Sequence, residues 1–486
     1  MYSDIIIIGG GVVGCAVARV LSRRRASVTV LERAADVAEG ASKANSGIVH
    51  AGFDAKTGTL KARFNVEGSK MYKKLCAELG VPYRQNGALV LAFSNEDRET
   101  VGRLLAQGAA NGVEGLRIVE RDELCAMEPN VSPEALCALF APTSAVVSPY
   151  ELVFALADHA AKNGVEFAFN EEVRSLRRDG ELWRLETSAG ERTARFVVNC
   201  AGVDSARLHN EATGRDEYHI TNRRGQYWLL DHMKEPPFAR TMFQCPTKMG
   251  KGVLVTPTAH YNTMIGPTAE DIDDPLDTAT TAEGLAFALE RSRKTWANAS
   301  TRGNITNFAG VRAHESGGDF IIGAADGAPG LYEAVGVESP GLSSAPAIAE
   351  YLGAMIAADG HIEAKSIWLA ADRQPKPFNE MTDDERADAC REDEANGRII
   401  CRCETVTEAE ILRAIRRPVG ARTIDGVKRR TRAGMGRCQG GFCSPRVAEI
   451  LAAELGVPLT EITKDGGASR LLVSDIAEAL KGGDAK

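Results

Sequence analysis

The amino-terminal residues alternate between apolar runs and an amphipathic segment in the order strand, helix, strand. Residues 4–8 form a mostly apolar run that ends at three glycines, which predicts a buried parallel strand. Residues 12–25 carry apolar side chains at helical spacing and end in three arginines, as suits the carboxyl end of a helix. A second apolar run at 27–32 predicts the next strand. The chain therefore begins with a predicted β-α-β unit.

The same periodicities continue through the middle of the chain. Between 218 and 268, apolar and polar residues alternate and turns separate the runs, which is typical of antiparallel strands. Helices and strands are further predicted as follows: helices at 151–164, 281–297 and 344–358, and strands at 165–178, 181–190 and 194–202.

The pattern changes at 371–398, where the residues are polar, charged and interrupted by proline. We interpret 371–397 as a linker or surface crossing. The residues that follow, 398–486, predict short helices separated by polar turns. The chain shows neither internal repeats nor low-complexity segments.

Charge and hydropathy exclude several classes of protein. The 486 residues carry a net charge of −8, whereas a nucleic-acid-binding protein usually has a basic face or a high pI. There is no run of 18 apolar residues that could span a bilayer, and the first residues lack the features of a signal peptide. We therefore expect a cytoplasmic protein without a transmembrane segment, which could still dock onto a membrane-bound partner.

A dinucleotide-binding motif lies between the first strand and the first helix. Gly9, Gly11 and Gly14 form G-x-G-x-x-G, and Glu32 ends the second strand. The glycines allow a tight turn, a close approach of the backbone to a pyrophosphate, and close packing of the helix on the strand. The carboxylate of Glu32 can accept a hydrogen bond from a ribose hydroxyl. Strand, glycines, helix, strand and acid in this order predict a dinucleotide site.

Four segments resemble the amino-acid-oxidase-like flavoprotein superfamily in sequence and in order. They are the glycine motif, "EGASKANSGIVHAGF" (39–53), "VVNCAGVDSA" (197–206) and "GVESPGLSSAPAIAEYL" (336–352). The resemblance implies FAD as the cofactor. It further implies that the flavin ring and ribityl chain are lined by Ser42, Asn45, Ser46 and Gly47, the adenine by Val173, the phosphates by Ala201 and Gly202, and the ring by Gly341, Leu342 and Ser343.

Oxidation of a carbon next to a hydroxyl by a flavin needs a proton acceptor and a cation for an anionic substrate. Arg312 matches a superfamily arginine that points into the substrate pocket. His260 is our first candidate for the base and His50 the second, although either histidine could be purely structural. His314, Lys56 and Lys251 are kept as further candidates.

Two related families fit the amino-terminal segments. One is the anaerobic glycerol-3-phosphate dehydrogenase catalytic subunit, and the other is the L-2-hydroxyglutarate oxidase group. "NSGIVHAGFDAKTGTLKA" (45–62) is more similar to the second, because the first has a substrate-binding arginine where this chain has Asp54. A carboxylate there would repel a phosphate, so a 2-hydroxy acid stays open as the alternative substrate.

Four of the eleven cysteines form two close pairs near the carboxyl terminus, in C-x-C and C-x-x-x-x-C spacings. They are Cys401, Cys403, Cys438 and Cys443. Four thiolates on two loops could hold zinc or an iron–sulfur cluster, and unmetallated thiols are a third possibility. The seven other cysteines, Cys15, Cys76, Cys125, Cys137, Cys200, Cys245 and Cys390, are interpreted mostly as buried small side chains.

The order of these cysteines resembles the bacterioferritin-associated-ferredoxin-like [2Fe-2S] domain. "RRTRAGMGRCQGGFCSPRV" (429–447) is also similar to the corresponding stretch of the anaerobic glycerol-3-phosphate dehydrogenase subunit. The resemblance implies a [2Fe-2S] cluster on the four cysteines. We expect the glycines of this stretch to let the loop wrap closely, and the basic residues Arg429, Arg430, Arg432 and Arg437 to offset the negative charge of the cluster or to form a solvated face.

The resulting expectation is an α/β protein with a Rossmann-like FAD-binding domain, an inserted α+β substrate domain with an antiparallel sheet, and a small, mostly helical [2Fe-2S] domain. The expected domains are FAD-binding at 1–75, 145–215 and 305–370, substrate-binding at 76–144 and 216–304, and [2Fe-2S]-binding at 398–486.

The expected activity is an FAD-dependent dehydrogenation of glycerol 3-phosphate or a similar small anionic hydroxy compound. L-2-hydroxyglutarate is the alternative substrate, and a non-catalytic electron-transfer or regulatory subunit is the alternative class. Electrons would leave through the cluster to an acceptor protein, for which a membrane-associated iron–sulfur subunit and a quinone-linked chain are both open.

Overall fold

The amino-terminal β-α-β unit predicted from the sequence is present in the computed structural model, which describes residues 1–233, 235–246 and 252–474. The strands are β1 (Tyr2–Ile8), β2 (Val28–Leu31), β3 (Ile48–Val49), β4 (Tyr83–Arg84), β5 (Ala88–Ala92), β6 (Arg117–Glu120), β7 (Cys137–Ala141), β8 (Ala145–Val147), β9 (Val165–Ala168), β10 (Val173–Asp179), β11 (Leu182–Thr187), β12 (Gly190–Asn199), β13 (Ile220–Leu230), β14 (Thr241–Gln244), β15 (Leu254–Pro257), β16 (Thr263–Gly266), β17 (Glu270–Ile272), β18 (Asn304–Glu315), β19 (Ile321–Ala324), β20 (Leu331–Val335), β21 (Ile399–Cys401) and β22 (Val406–Thr407).

The α-helices are α1 (Val12–Leu21), α2 (Leu60–Leu79), α3 (Asn95–Ala110), α4 (Arg121–Met127), α5 (Pro149–Lys162), α6 (Ser205–Thr213), α7 (Ala282–Ser292), α8 (Gly341–Asp359), α9 (Asp383–Glu392), α10 (Glu408–Arg416), α11 (Ile424–Thr431) and α12 (Ser444–Leu455). Short 3-10 helices lie at Gly202–Asp204, Phe378–Glu380, Glu394–Gly397 and Leu459–Glu461.

The chain divides into two units, each of which draws on more than one segment. The first comprises Met1–Leu31, Ala38–Ala168 and Glu172–Asp372, and the second comprises Glu32–Val37, Phe169–Glu171 and the residues from Arg373 onward. The finer division of the first unit into FAD-binding and substrate-binding domains stays a prediction.

The first unit contains a sheet built around β1, with the strand order β10-β11-β12-β1-β2-β9. β1 runs parallel to β2 and β12, and β20 runs parallel to β12 on the other side. Helix α1 contacts α5 and α8, and all of its residues are buried. This packing explains why α1 has no polar face, since the sheet and two helices enclose it.

A second sheet in the first unit has the order β17-β13-β16-β15-β14-β5-β7-β6, with β18 also paired to β13. Its described pairings are antiparallel apart from β5 with β14, which are parallel. The predicted antiparallel sheet is thus a mixed one, because β5 and β14 come from separate segments of the chain. β18 pairs with β13 along its length, so residues 305–315 lie in this sheet.

The second unit is mostly helical and has a small core of its own. Ile411, Val427 and Leu451 are fully buried between α10, α11 and α12, and β21 and β22 form a short hairpin beside them. Helix α10 begins with a capping box, in which Thr407 and Glu410 bond to each other's backbone N–H groups. The predicted linker contains α9 and two 3-10 helices as well as extended residues. Residues 475–486 of the predicted [2Fe-2S] domain lie outside the described residues.

Five of the seven scattered cysteines are buried, as predicted, but Cys125 is exposed and Cys390 is half-buried. They lie in the short polar helices α4 and α9. Among the described residues, no helix combines the length and apolar character that crossing a bilayer requires.

Candidate functional site

The glycine motif forms a turn that only glycine could occupy at two of its positions. Gly9 has φ +104°, and a Cβ built there would lie 2.5 Å from the carbonyl oxygen of Cys200. A Cβ at Gly14 would lie 2.0 Å from the carbonyl oxygen of Gly9. These separations are below van der Waals contact, so a side chain at either position would force β1, β12 and α1 apart. The turn therefore has the close packing that a dinucleotide fold requires.

Ser42 and Asn45 organise the loop that follows this turn. The backbone N–H of Val12, at the start of α1, donates to Ser42 Oγ at 2.9 Å. Asn45 Nδ2 donates to the carbonyl oxygens of Ala41 and Ser42, and its Oδ1 accepts from the N–H of Gly47 at 2.8 Å. The side chain of Asn45 is thus engaged within the loop, and the neighbouring Ser46 is half-buried.

The start of α8 is held against the same loop by side-chain hydrogen bonds. Ser343 Oγ accepts from the backbone N–H of His50 at 2.8 Å. Tyr72 on α2 donates its hydroxyl to the carbonyl oxygen of Leu342. A Cβ at Gly341 would lie 2.6 Å from the Val337 side chain, so the helix begins in a tight turn.

The other predicted cofactor residues lie at strand ends or in strand interiors. Gly202 has φ +59° and opens the 3-10 helix after β12, and a Cβ there would meet no atom within 4 Å. The preceding Ala201 donates its N–H to Asn199 Oδ1 at 3.3 Å. Val173 is buried at the start of β10. Glu32 directly follows β2, and its Oε1 accepts from the N–H of Ala34 at 2.8 Å.

His50 lies in the wall of a small, partly open pocket. The imidazole is buried, and its centroid lies 5.7 Å from that of Phe243. The other lining residues are Phe53, Asp54, Val90, Leu104, Gln244 and Pro246. The pocket is therefore mainly apolar, with one imidazole, one carboxylate and one amide in its wall.

His260 is paired with a carboxylate from a distant segment. Its Nε2 donates to Glu151 Oε1 at 2.5 Å, and the same oxygen accepts from Ser148 Oγ at 2.8 Å. Glu151 lies in the first turn of α5, just after β8. Gly47 contacts the same turn, since a Cβ on it would lie 2.6 Å from the carbonyl oxygen of Val147.

Arg312 lies on the face of β18 that meets the 41–47 loop. Gly310, two residues earlier on this face, approaches Ala44 so closely that a Cβ would lie 2.1 Å from its carbonyl oxygen. Arg312 donates to the carbonyl oxygens of Thr268 at 3.0 Å and Arg223 at 3.4 Å. Among the described residues no carboxylate forms a hydrogen bond with Arg312, so the guanidinium retains donors for a ligand.

Arg223 lies directly opposite Arg312 on β13 and is neutralised separately. Asp271 on β17 accepts two hydrogen bonds from Arg223, at 2.6 and 3.1 Å. The hydrogen bond from Arg223 is the main cause of the lowered pKa of Asp271. Arg223 thus has Asp271 as a hydrogen-bonded counter-ion, whereas Arg312 acts on Asp271 through its charge and without a hydrogen bond.

His314 forms part of a half-buried ion cluster. Its Nδ1 lies 2.9 Å from Glu338 Oε1, which also accepts from Lys61 Nζ at 2.8 Å. Burial alone would raise the pKa of Glu338, but Lys61 and His314 outweigh it and the pKa is lowered. His314 is therefore committed to a carboxylate near the start of α8. Of the two remaining candidates, Lys56 is exposed and Lys251 lies outside the described residues.

The sequence did not single out Glu151, Lys61, Glu338 or Phe243. The pairing of His260 with Glu151 joins residues 109 positions apart, and that of Lys61 with Glu338 joins residues 277 positions apart. One local signal existed for Glu151, because Ser148-x-x-Glu151 is the spacing of a capping box at a helix start.

The four clustered cysteines come together in the second unit as two sulfur pairs. Cys403 Sγ lies 3.7 Å from Cys438 Sγ. The Cys443 thiol hydrogen-bonds to Cys401 Sγ and lowers the pKa of Cys401 to about 6. Three or more ligating side chains do not converge on one point anywhere in the described part of the chain. Two pairs of sulfurs fit two iron atoms with two thiolates each better than they fit one tetrahedral zinc ion.

Backbone N–H groups point at these sulfurs. Cys401 accepts from Gly434 and Glu404, and Cys438 accepts from Phe442, Gly440 and Gly441. Gly434 and Gly440 have φ of +94° and +84°. A Cβ on Gly436 would lie 2.5 Å from Cys403 Cβ. As predicted, the glycines let the loop wrap closely around the thiols.

The basic residues of this stretch are mostly paired with carboxylates. Arg430 is fully buried and binds Asp36 of the same unit through two hydrogen bonds, at 2.5 and 2.7 Å. Arg429 pairs with Asp465 at 3.1 Å, and Arg432 pairs with Glu404 at 2.8 Å. These three guanidinium groups stabilise the fold of the unit, whereas Arg437 is exposed.

Comparisons with known proteins match both units. Residues 4–355 match the family described as FAD dependent oxidoreductase, and residues 399–453 match the BFD-like [2Fe-2S] binding domain. The chain is 46% identical to a glycerol 3-phosphate dehydrogenase of Caloramator mitchellensis, over 96% of this chain and 98% of that protein. It is 30% identical to a mitochondrial L-2-hydroxyglutarate dehydrogenase of Arabidopsis thaliana, over 72% of this chain and 82% of that protein.

A solved structure supports the same relationship. L-alpha-glycerophosphate oxidase from Mycoplasma pneumoniae, dithionite reduced and with FAD bound, superposes with a TM-score of 0.74 at 29% identity. The superposition covers 77% of this chain and all of that one. Both the family match and the similar structure therefore cover most of the first unit.

Proposed function

The chain belongs to the FAD-dependent oxidoreductase family, and from this membership we propose that it dehydrogenates glycerol 3-phosphate. FAD is the cofactor of the family, and the first unit has the glycine turn and helix start that a dinucleotide needs. The observation that carries the proposal is Arg312, which faces the 41–47 loop with donors that no carboxylate of the described residues uses. A planar guanidinium suits the oxygens of a phosphate or a carboxylate.

Bound FAD supplies a hydride acceptor, and the residues of this chain must supply the rest of the reaction. His50 is the group we propose for taking the hydroxyl proton. Its imidazole is buried in the pocket wall, and its backbone N–H bonds to Ser343 at the start of α8. One nitrogen of His260, our first candidate from the sequence, is already bonded to Glu151. We therefore assign His260 a role in orienting α5 through Glu151.

The apolar residues of the pocket have a different role from that of His50. Phe53, Val90, Leu104 and Phe243 exclude water from the space beside His50. Excluding water from this space prevents it from competing for the hydroxyl proton. A buried imidazole in an apolar pocket, in a chain similar to glycerol 3-phosphate dehydrogenases and oxidases, argues against the alternative of a non-catalytic subunit.

L-2-hydroxyglutarate is the second candidate substrate, and Asp54 is the observation that favours it. This carboxylate lies in the pocket wall with His50, where it would oppose a phosphate dianion. The higher identity to the glycerol 3-phosphate dehydrogenase, which extends through the second unit, favours glycerol 3-phosphate.

The [2Fe-2S] domain supports onward transfer of electrons from the flavin to a partner. Each hydroxyl oxidised to a carbonyl releases two electrons and two protons. A protein acceptor that takes one electron at a time is the partner we propose, whether it is a membrane-associated iron–sulfur subunit or a quinone-linked protein. The cytoplasmic location expected from the sequence stays a prediction.

Anaerobic photometry of the oxidised holoprotein tests the substrate. Glycerol 3-phosphate should bleach the flavin absorbance within the mixing time of a manual assay, while L-2-hydroxyglutarate should leave it unchanged. D-2-hydroxyglutarate and glycerol serve as controls that lack the correct configuration or the anionic group. Bleaching by L-2-hydroxyglutarate alone would replace the proposed substrate with the second candidate. If neither compound bleaches the flavin, the proposed dehydrogenation is wrong.

An anaerobic assay for iron, acid-labile sulfide and zinc tests the second unit. The expected result is about two iron and two sulfide per chain, because four thiolates ligate a two-iron cluster. Zinc without sulfide would contradict the cluster.

A further inference from the structure

The two sulfur pairs differ in their access to solvent. Cys401 and Cys443 are 1% and 3% exposed, since Cys401 ends β21 and Cys443 precedes α12 in the core of the second unit. Cys403 is exposed and Cys438 is half-buried. A two-iron cluster on these four thiolates would therefore have one iron near the surface and one iron inside the unit.

We propose that the iron held by Cys403 and Cys438 is the electron exit, and that the surface around it docks an acidic protein that accepts one electron at a time. This inference rests on the proposed function, because it assumes that the cluster relays electrons from the flavin. Electron-transfer rates fall steeply with distance. An acceptor that touches this surface is closer to the outer iron than to the inner one.

The inner pair also accepts backbone hydrogen bonds, from Gly434 and Glu404 to Cys401, so exposure to solvent is the difference that favours a reduced iron at the outer pair. Cys438 Sγ accepts from the backbone N–H groups of Phe442, Gly440 and Gly441, and the N–H of Cys438 points at Cys403 Sγ. These donors and the nearby water stabilise additional negative charge on the outer thiolates. Both are factors that set the potential of an iron–sulfur centre.

The surface beside the outer pair has the composition of a docking site. Phe442, next to Cys443 in the chain, is 86% exposed. Arg402 and Arg437 are exposed and precede Cys403 and Cys438. Among the described residues nothing forms a hydrogen bond or ion pair with the guanidinium of Arg402. An exposed aromatic residue next to arginines is typical of protein interfaces.

The charge of this surface determines which kind of acceptor protein it attracts. The chain as a whole has a net charge of −8, yet the exposed charged residues next to the outer pair, Arg402 and Arg437, are basic, and the neighbouring Glu404 is buried and paired with Arg432. Such a local patch would steer an acidic acceptor toward the outer iron and would repel a basic one. For each hydroxyl oxidised, two acceptor molecules take one electron each, and the two protons go to solvent.

Electron paramagnetic resonance of the dithionite-reduced holoprotein tests which iron is reduced. The variants are Cys438→Ser for the outer pair and Cys443→Ser for the inner pair, each checked for iron and sulfide content. Serine at the reduced iron should change the spectrum and lower the midpoint potential more than serine at the other iron. We expect the larger change for Cys438→Ser. A larger change for Cys443→Ser would overturn the proposal.

Stopped-flow reoxidation of the reduced holoprotein tests the docking surface without changing a ligand. Plastocyanin is the acidic acceptor, cytochrome c the basic one, and ferricyanide a small acceptor that needs no docking surface. At low ionic strength Arg402→Glu should slow the reaction with plastocyanin by about tenfold and should not slow that with cytochrome c. Phe442→Ala should slow the reaction with plastocyanin while its reaction with ferricyanide stays within about twofold.

Arg470→Glu and Leu471→Ala are matched controls, since both residues are exposed in the same unit and adjoin none of the four cysteines. They should leave the rates with both proteins unchanged. If Arg402→Glu and Phe442→Ala have no more effect than these controls, the docking surface is wrong. Iron content and flavin bleaching by glycerol 3-phosphate, measured on each variant, distinguish this outcome from a failure of the proposed function.

Discussion

The hydroxyl of Ser343 accepts a hydrogen bond from the backbone N–H of His50 at 2.8 Å. This bond joins the first turn of α8 to the segment that presents the candidate base. The resemblance to flavoproteins implies that the first turn of α8 lies beside the flavin ring. The hydrogen bond would therefore hold His50 at a defined position relative to the ring. The two residues are 293 positions apart, and both are buried.

Ser343→Ala should therefore destabilise the protein and impair the reaction. The buried N–H of His50 would lose its acceptor, which costs about 1–3 kcal/mol in the free energy of unfolding. Urea denaturation measures this loss, and kcat with glycerol 3-phosphate should fall as well. Ser344→Ala is the matched control, because Ser344 is equally buried and, among the described residues, its hydroxyl donates to the carbonyl oxygen of Pro340 and not to the His50 segment. Equal effects of the two substitutions would show that the His50 bond has no special importance.

His50→Asn should lower kcat by about 10²–10⁴-fold if the imidazole is the general base. Asparagine keeps a polar side chain of similar size in the pocket wall but cannot accept the hydroxyl proton at neutral pH. His260→Asn should have a smaller effect, because His260 is bonded to Glu151 outside the pocket wall. Anaerobic single-turnover reduction of the flavin measures both variants. A larger loss in His260→Asn would reverse the two assignments.

Arg312→Gln should weaken substrate binding and leave the fold intact. A charged hydrogen bond contributes about 1.5–3 kcal/mol, so kcat/KM should fall by about 10–150-fold. Sulfate or phosphate ions should also inhibit the variant less than the wild type. Arg223→Gln is the control on the opposite strand, because its charge is neutralised by Asp271. If Arg223→Gln lowers kcat/KM as much as Arg312→Gln does, Arg312 is not a distinct anion-binding residue. The anion site then includes both arginines or neither of them.

Gly14→Ala should prevent FAD from binding. A methyl group at this position would lie 2.0 Å from the carbonyl oxygen of Gly9, so the turn and the start of α1 would have to move. The flavin-to-protein absorbance ratio of the purified variant measures this loss. Gly40→Ala is the control in the same region, because a Cβ there would meet no atom within 4 Å. Normal flavin content in Gly14→Ala would show that the turn tolerates a side chain.

The parts of the protein that the sequence predicted are those that local chemistry determines. Gly9 and Gly14 lie five residues apart in one strand–turn–helix, so their spacing alone indicates the steric need for glycine. The sequence grouped Cys401 with Cys403 and Cys438 with Cys443 by their spacing, but it did not predict that the sulfur of Cys403 lies beside that of Cys438 and the sulfur of Cys401 beside that of Cys443.

The missed contacts are those made by long-range packing. Glu338 lies next to Lys61 and His314 only because α2, β18 and the segment before α8 converge, and no spacing in the sequence records this. The arginines at 429–432 illustrate the opposite error. Their number suggested charge compensation for a cluster, but each of the three is paired with a carboxylate whose position only the fold determines.

The stability of the first unit should depend on pH because of Glu338. Its pKa is lowered below the ordinary value of 4.5 by Lys61 and His314, against the effect of burial. In the unfolded chain the carboxyl binds a proton at higher pH than in the folded protein. The stabilising contribution is therefore complete above pH 4.5 and is lost as the pH falls through the lower pKa of the folded state.

Glu338→Gln removes this linkage, so the variant should be less stable than the wild type at neutral pH, and the difference should shrink progressively below the ordinary carboxyl pKa. Urea unfolding at a series of pH values between neutrality and acid measures the two slopes. Glu99→Gln is the control, because Glu99 is exposed and its side chain takes part in no hydrogen bond described in the structure. If the wild type and Glu338→Gln lose stability in parallel as the pH falls, the ion cluster does not hold the carboxylate in its charged form. The segment before α8 would then be fixed by its backbone hydrogen bonds alone.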